Sequence, residues 1–165
     1  MEQTVTHVLS PIWNAQSKIL ILGTMPSPKS RENKFYYAHP QNRFWKVLPD
    51  ILQQTCPPTI EGRTAFLLKN HIALWDVLKS CTIRGADDGS IRNPIPNDLG
   101  SILETAPIRA IFTTGKKATE LYRKLCLPNT GIPSFYLPST SPANCRYYSY
   151  EELCNAYRVL LSYLQ

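Results

Sequence analysis

Apolar positions fall into two patterns along the chain. Residues 18–23 (KILILG) and 109–114 (RAIFTT) are short continuous apolar runs, the pattern of strands buried on both faces of a parallel sheet. Residues 72–78 (IALWDVL) form a third run whose end releases Asp76 toward a loop, and residues 134–137 a short fourth. The second pattern has helical spacing. Phe44, Val47, Leu48, Ile51 and Leu52 share one face of a helix that Pro49 should kink or restart, and residues 61–70 and 97–105 read as two further helices. Gly115 opens a helix with Ala118, Leu121, Tyr122 and Leu125 on one face. Ser149 and Glu152 have the spacing of a capping box at the head of a last helix, striped by Leu153, Tyr157, Leu160, Leu161 and Leu164. Residues 24–41 and about 79–96 read as polar loops, the second a lid or a mobile connection.

Strands alternating with helices predict an α/β fold, a three-layer α/β/α sandwich with a mainly parallel four-stranded central sheet, in one domain over residues 1–165. Sheets of this kind bind ligands beyond the carboxyl ends of their strands. Four segments lie there: 23–27 (GTMPS), Trp75-Asp76, 113–116 (TTGK) and 138–142 (PSTSP).

Charge narrows the partner. The chain carries 18 Lys and Arg against 12 Asp and Glu, a net charge of +6. The excess gathers in residues 29–46, with Lys29, Arg31, Lys34, Arg43 and Lys46, and in residues 109–124, with Arg109, Lys116, Lys117, Arg123 and Lys124. Such a surface suits a polyanion, although solubility alone also explains exposed lysines. The apolar runs are far shorter than the roughly 20 residues that span a bilayer, and no apolar block marks the N-terminus. A soluble, cytoplasmic protein is therefore expected. The five cysteines form no CxxC pair and have no histidine at ligand spacing, so neither a metal nor another cofactor is expected and the thiols read as reduced.

The strand-end segments supply different chemistry. Gly23-Thr24-Met25-Pro26-Ser27 offers amides and hydroxyls that suit a phosphate or a polar base edge, and equally a turn with no ligand. Residues 35–45 (FYYAHPQNRFW) gather aromatics, His39, Asn42 and Arg43 ahead of a helix. Aromatic rings stack on nucleobases for about 1–3 kcal/mol per base, while Phe44 and Trp45 fit the core better. Lys116 and Lys117 follow Gly115 at a helix N-terminus, where free amides favour an anion. Ser139, Thr140 and Ser141 sit in a loop stiffened by prolines and able to bond phosphates at little entropic cost. The GxSxG, HExxH, Walker and GxGxxG patterns do not occur, which argues against serine hydrolases, zincins, P-loop enzymes and dinucleotide dehydrogenases.

Three segments, ILGTMPS (21–27), YYAHPQNRFW (36–45) and LPSTSPAN (137–144), resemble the uracil-DNA glycosylase superfamily, most closely its hypoxanthine (deoxyinosine) DNA glycosylase branch. The resemblance runs over about residues 18–164. It implies a DNA repair enzyme, a monofunctional glycosylase that hydrolyses the N-glycosidic bond of a flipped deaminated base, hypoxanthine favoured, and leaves an abasic site. Excision of uracil or mismatched thymine is one alternative, a non-cleaving lesion- or nucleotide-binding module another, and a hydrolase of free nucleosides or nucleotides a third. In the mismatch-specific branch the third residue of the first turn is a water-positioning asparagine; Met25 stands there and cannot hold a water. In the hypoxanthine branch the amide of the HPxN segment takes over, which maps onto Asn42. Ala143 stands where the mismatch branch carries a wedging leucine, leaving Asn144 or Arg146 to fill the vacated stack.

On this resemblance Asn42 is the catalytic residue. Gly23, Thr24, Met25, Pro26, Ser27, Tyr37 and His39 receive the base, Tyr37 by stacking and the turn amides by reading its edge and stabilising the departing anion. Lys116, Ser139, Thr140, Ser141, Pro142, Ala143, Asn144 and Arg146 hold the DNA, positioning rather than specifying. The implied partner is DNA containing a deaminated base, met by a monomer without a membrane, nucleoid-associated if the cell is bacterial or archaeal. A mispaired base leaves the stack at least cost. A deaminated base also departs as a stabilised anion, so no strong general acid is required.

Overall fold

The computed structural model describes residues 2–165, and Met1 of the expected domain lies outside the described residues. The chain opens with β1 (Glu2–Thr6) and β2 (Ile19–Gly23), followed by α1 (Pro28–Asn33), α2 (Phe44–Leu52), α3 (Ile60–Lys69), β3 (Ile72–Asp76), β4 (Leu78–Arg84) and β5 (Asp87–Pro96). It continues through α4 (Gly100–Thr105), β6 (Ala110–Thr114), α5 (Lys116–Leu121), α6 (Leu127–Thr130), β7 (Ser134–Leu137), α7 (Tyr150–Tyr157) and α8 (Val159–Leu164).

The central sheet is parallel and four-stranded, in the order β3-β2-β6-β7, as the alternation predicts. Its continuous apolar runs have a direct cause. Ile19 and Ile21 of β2 turn to one face and pack with Phe44, Leu48, Leu67, Leu153 and Tyr157 from α2, α3 and α7. Leu20 and Leu22 turn to the other and pack with Ile102, Ala118 and Tyr122. All four β2 side chains are 0% exposed, and each such burial is worth about 1.5–3 kcal/mol. No helix among the described residues is long and apolar enough to cross a membrane.

Several expectations are corrected. Pro49 does not start a new helix; α2 is one helix with Pro49 inside it, running to Leu52 and capped by Gln53, whose φ of 54° is left-handed. The segment 24–41 is not all loop. Ser27 accepts the Ser30 N–H at 3.2 Å and Pro28 takes the first turn of α1, the pairing of a polar cap with a proline that starts helices well. The helix after Gly115 stops at Leu121; a wider π turn, Tyr122–Cys126, follows before α6. Leu125 still packs against the cluster that holds Ala118, Leu121 and Tyr122, as expected, but is only half-buried there.

The largest correction concerns residues 78–96. Instead of a loop, β4 and β5 form an antiparallel hairpin that joins β1 in a second sheet, ordered β1-β4-β5. The apolar run 72–78 is split between β3 and β4 by Val77, whose N–H donates to Gly23 O at 2.8 Å, while Leu78 N–H donates to Thr24 O at 3.1 Å. The hairpin thus starts against the end of β2, and its two-residue tip, Gly85-Ala86, opens with Gly85 at φ 59°.

The expected last helix is two, α7 and α8, divided at Arg158, and the first of them begins at the expected capping box. Ser149 Oγ accepts the Glu152 N–H at 3.1 Å and Glu152 Oε1 accepts the Ser149 N–H at 2.9 Å. The backbone and side-chain bonds from Ser149 hold the Glu152 carboxyl below the usual carboxylate range. Ser149→Ala should cost about 1 kcal/mol, read as a fall in Tm of about 2–4 °C by calorimetry.

Candidate active site

The carboxyl ends of β2, β3 and β6 open into a cavity of about 200 Å³. That is smaller than the roughly 300–1,000 Å³ of typical drug-sized sites, and it suits one planar ring system. The floor is built by close approach. A Cβ on Gly23 would lie 2.5 Å from Asp76 Oδ1 and 3.2 Å from Tyr37 OH, so only glycine lets β2 end against these groups.

Tyr37 forms an aromatic wall. Its ring lies 4.1 Å from that of Phe44 with 10° between planes, so a core residue backs one of its faces. Tyr37 has φ 51°, a left-handed conformation that is strained for an aromatic residue. Burial, and then the nearby Asp76 carboxylate, push its phenol above the usual range, with the Thr114 hydroxyl at 3.4 Å offsetting part of the effect. Tyr37 is therefore a neutral surface at neutral pH.

The turn from Thr24 to Ser27 edges the cavity, fixed by the Ser27 cap on α1 and by the Arg31 guanidinium, which donates to Pro26 O at 2.9 Å. Asn42 and His39 also line it. Asn42 Oδ1 accepts the Phe44 N–H at 2.9 Å, which sets the orientation of the carboxamide; Nδ2 and the second lone pair on Oδ1 stay available. His39 Nδ1 accepts the Gln41 N–H at 3.1 Å, leaving Nε2 to carry the proton of the neutral ring.

Ser139, Thr140, Ser141 and Pro142 complete the rim. Their loop is held from within: Ser139 Oγ accepts the Ser141 N–H at 3.1 Å, and Asn144 Nδ2 donates to Ser139 O at 3.0 Å. Arg43 ties it to the start of α2, donating its N–H to Thr140 O at 3.1 Å and its guanidinium to Tyr148 O at 2.7 Å. Ile83, Gly85, Ala86 and Asp88 of the hairpin also line the cavity.

Comparison with known proteins gives the lineage. The sequence model of the uracil DNA glycosylase superfamily matches residues 11–165. The chain belongs to that superfamily. Two curated relatives, from Methanosarcina acetivorans and Methanosarcina barkeri, are each named hypoxanthine DNA glycosylase. They are 34% and 33% identical to this chain over 138 residues, which cover 82% of this chain and 86% of each relative. A solution NMR structure of a Methanosarcina acetivorans protein, named as a candidate uracil DNA glycosylase, aligns with a TM-score of 0.79 at 30% identity, covering 98% of this chain and 99% of that one.

Within this superfamily fold, the residues singled out from sequence divide in two. Asn42, Gly23, Thr24, Met25, Pro26, Ser27, Tyr37 and His39 all line one cavity, together with Ser139, Thr140, Ser141 and Pro142. Thr140 is 1% exposed and its hydroxyl has no partner among the described residues, so it faces inward rather than out over the surface. Lys116, Ala143, Asn144 and Arg146 lie outside the cavity lining. Lys116, Ala143 and Arg146 are exposed, and the Arg146 guanidinium sits 5.9 Å from the ring of Tyr147, itself exposed. Asp76 and Thr114, both in strand-end segments named from sequence, line the cavity as well, whereas sequence reasoning missed His7 and read the hairpin residues as loop. His7 Nε2 lies 2.7 Å from Asp76 Oδ2 behind the floor. A single histidine between Thr6 and Val8, just past the end of β1, gives no signal on its own.

Proposed function

We propose that this protein is a DNA glycosylase that hydrolyses the N-glycosidic bond of a flipped, deaminated base, hypoxanthine first, and leaves an abasic site. The observation that carries the reading is a base-sized cavity at the strand ends, walled by Tyr37 over Phe44 and lined by Asn42. The named activity of the two Methanosarcina relatives supports the choice of base. One domain over residues 1–165 acts as a monomer on duplex DNA.

The mechanism follows from these groups. Extruding a nucleotide costs a few kcal/mol, least for a mispaired base, which selects lesions before any contact inside the pocket. Tyr37, braced by Phe44, receives the base by stacking. Amides of the turn from Thr24 to Ser27 meet the base edge and stabilise the charge that grows as the base departs. Asn42 holds a water against the sugar, its own carboxamide fixed by the Phe44 N–H. Met25 in the turn then carries no chemistry. Ser139, Ser141 and Lys116 hold the backbone around the lesion, with Ala143, Asn144 and Arg146 beside the vacated stack.

Duplexes carrying deoxyinosine, deoxyuridine, deoxyxanthosine or a G·T mispair, incubated with excess enzyme and then treated with alkali, test the substrate. Fastest strand scission at deoxyinosine is expected. Fastest scission at deoxyuridine or at the mispair would move the enzyme to a neighbouring branch, and none at any base would leave a binding module. Affinity for duplex should fall steeply with salt, and Lys116→Ala should lower the log–log slope by about 1. Fluorescence anisotropy across a salt series measures both, and a flat response would remove the DNA surface.

A further inference from the structure

Resting on the glycosylase reading, we infer that Asp76, oriented by His7, reads the ring N–H that deamination creates, and so separates hypoxanthine from adenine. Deamination of adenine turns N1 from an acceptor into an N–H donor. A carboxylate oxygen can only accept, so it complements N1–H of hypoxanthine and opposes the lone pair of adenine N1. Asp76 places such an oxygen at the floor of the cavity.

Four observations fix its orientation. The Asp76 side chain is 6% exposed, and among the described residues its Oδ1 takes no protein donor while lying against Gly23. Its Oδ2 is held by His7 Nε2 at 2.7 Å. The Leu9 N–H donates to His7 Nδ1 at 3.2 Å, so the ring proton sits on Nε2 and points at Asp76 Oδ2. The side-chain amide of Asn97 donates to the Asp76 backbone carbonyl at 3.0 Å, fixing the main chain as well. Among the described residues Oδ1 is thus an acceptor on the cavity lining without a protein donor, and an N–H from a bound base supplies that partner in a site that excludes water. A negative group beside a departing anion does not speed departure, so Asp76 serves selection and His7 is its positioning residue.

The locked histidine also makes the test informative. In Asp76→Asn, the His7 Nε2–H holds the carboxamide oxygen, which leaves the NH₂ facing the cavity and reverses the polarity of the floor. Affinity is measured by anisotropy for duplexes carrying 2′-fluorodeoxyinosine or 2′-fluorodeoxyadenosine, whose fluorine slows hydrolysis, alongside wild-type excision of deoxyinosine. Wild type should prefer the inosine duplex by at least about tenfold, the scale of one lost buried hydrogen bond. Asp76→Asn should bring the two within about twofold. His7→Gln, which keeps a side-chain donor, should retain most of the preference, and His7→Ala should lose it. A wild type that excises hypoxanthine while Asp76→Asn keeps its tenfold preference overturns the role of Asp76 and leaves the glycosylase reading standing. A wild type with neither excision nor preference overturns both.

Discussion

Asn42→Ala is expected to lower single-turnover excision of hypoxanthine by about 10²–10⁴-fold, the usual contribution of a group that positions a proton-transferring water. Affinity for the duplex should stay within a few-fold, because backbone contacts lie elsewhere on the rim. The variant also loses a structural bond, since Asn42 Oδ1 accepts the Phe44 N–H at the head of α2, at a cost of about 1 kcal/mol. Asn42→Ser separates the two effects. A serine hydroxyl can still accept that N–H but cannot present a carboxamide to the cavity. Its Tm should stay near wild type while excision falls as in the alanine variant. Near-normal turnover by Asn42→Ser would assign the water to another group.

Gly23→Ala is expected to be the next most damaging change, reducing excision by about 100-fold, the usual penalty for a misplacement near 1 Å. The backbone itself does not resist the substitution, since Gly23 is not among the positive-φ residues. The obstacle is space. The new methyl would meet Asp76 Oδ1 at 2.5 Å and Tyr37 OH at 3.2 Å. Neither can withdraw freely, because His7 holds Asp76 from behind and Phe44 backs Tyr37. Floor and wall must therefore shift together, so binding of the inosine duplex should weaken along with excision. Full activity with an unchanged Tm would mean that the base does not reach this floor.

The central sheet was legible in the sequence because both faces of β2, β3 and β6 are buried, which leaves unbroken apolar runs at residues 18–23, 72–76 and 109–114. The second sheet was not legible. β5 fully buries none of its residues, with only Ser90, Ile91, Pro94 and Pro96 half-buried, and register shifts in β4 scatter Leu78, Cys81 and Ile83 off a strict alternation. Its strands exist through pairing with β1 and packing against the central sheet, which no local pattern records. The same asymmetry holds for the cavity. The turn at Gly23 and the segment around Asn42 carry motifs, whereas His7 and Asp76, 69 positions apart, meet only through that unread sheet. α1 could have been read, since Ser27-Pro28 has the chemistry of a helix start.

The most direct test is rapid-quench single turnover of the wild-type protein on a duplex with one deoxyinosine opposite cytosine, with mass analysis of the small molecule released. The expected result is free hypoxanthine and an intact phosphodiester backbone until alkali is added. Release of a nucleoside or nucleotide, or no release from a duplex that the protein binds, would contradict glycosidic hydrolysis at this site.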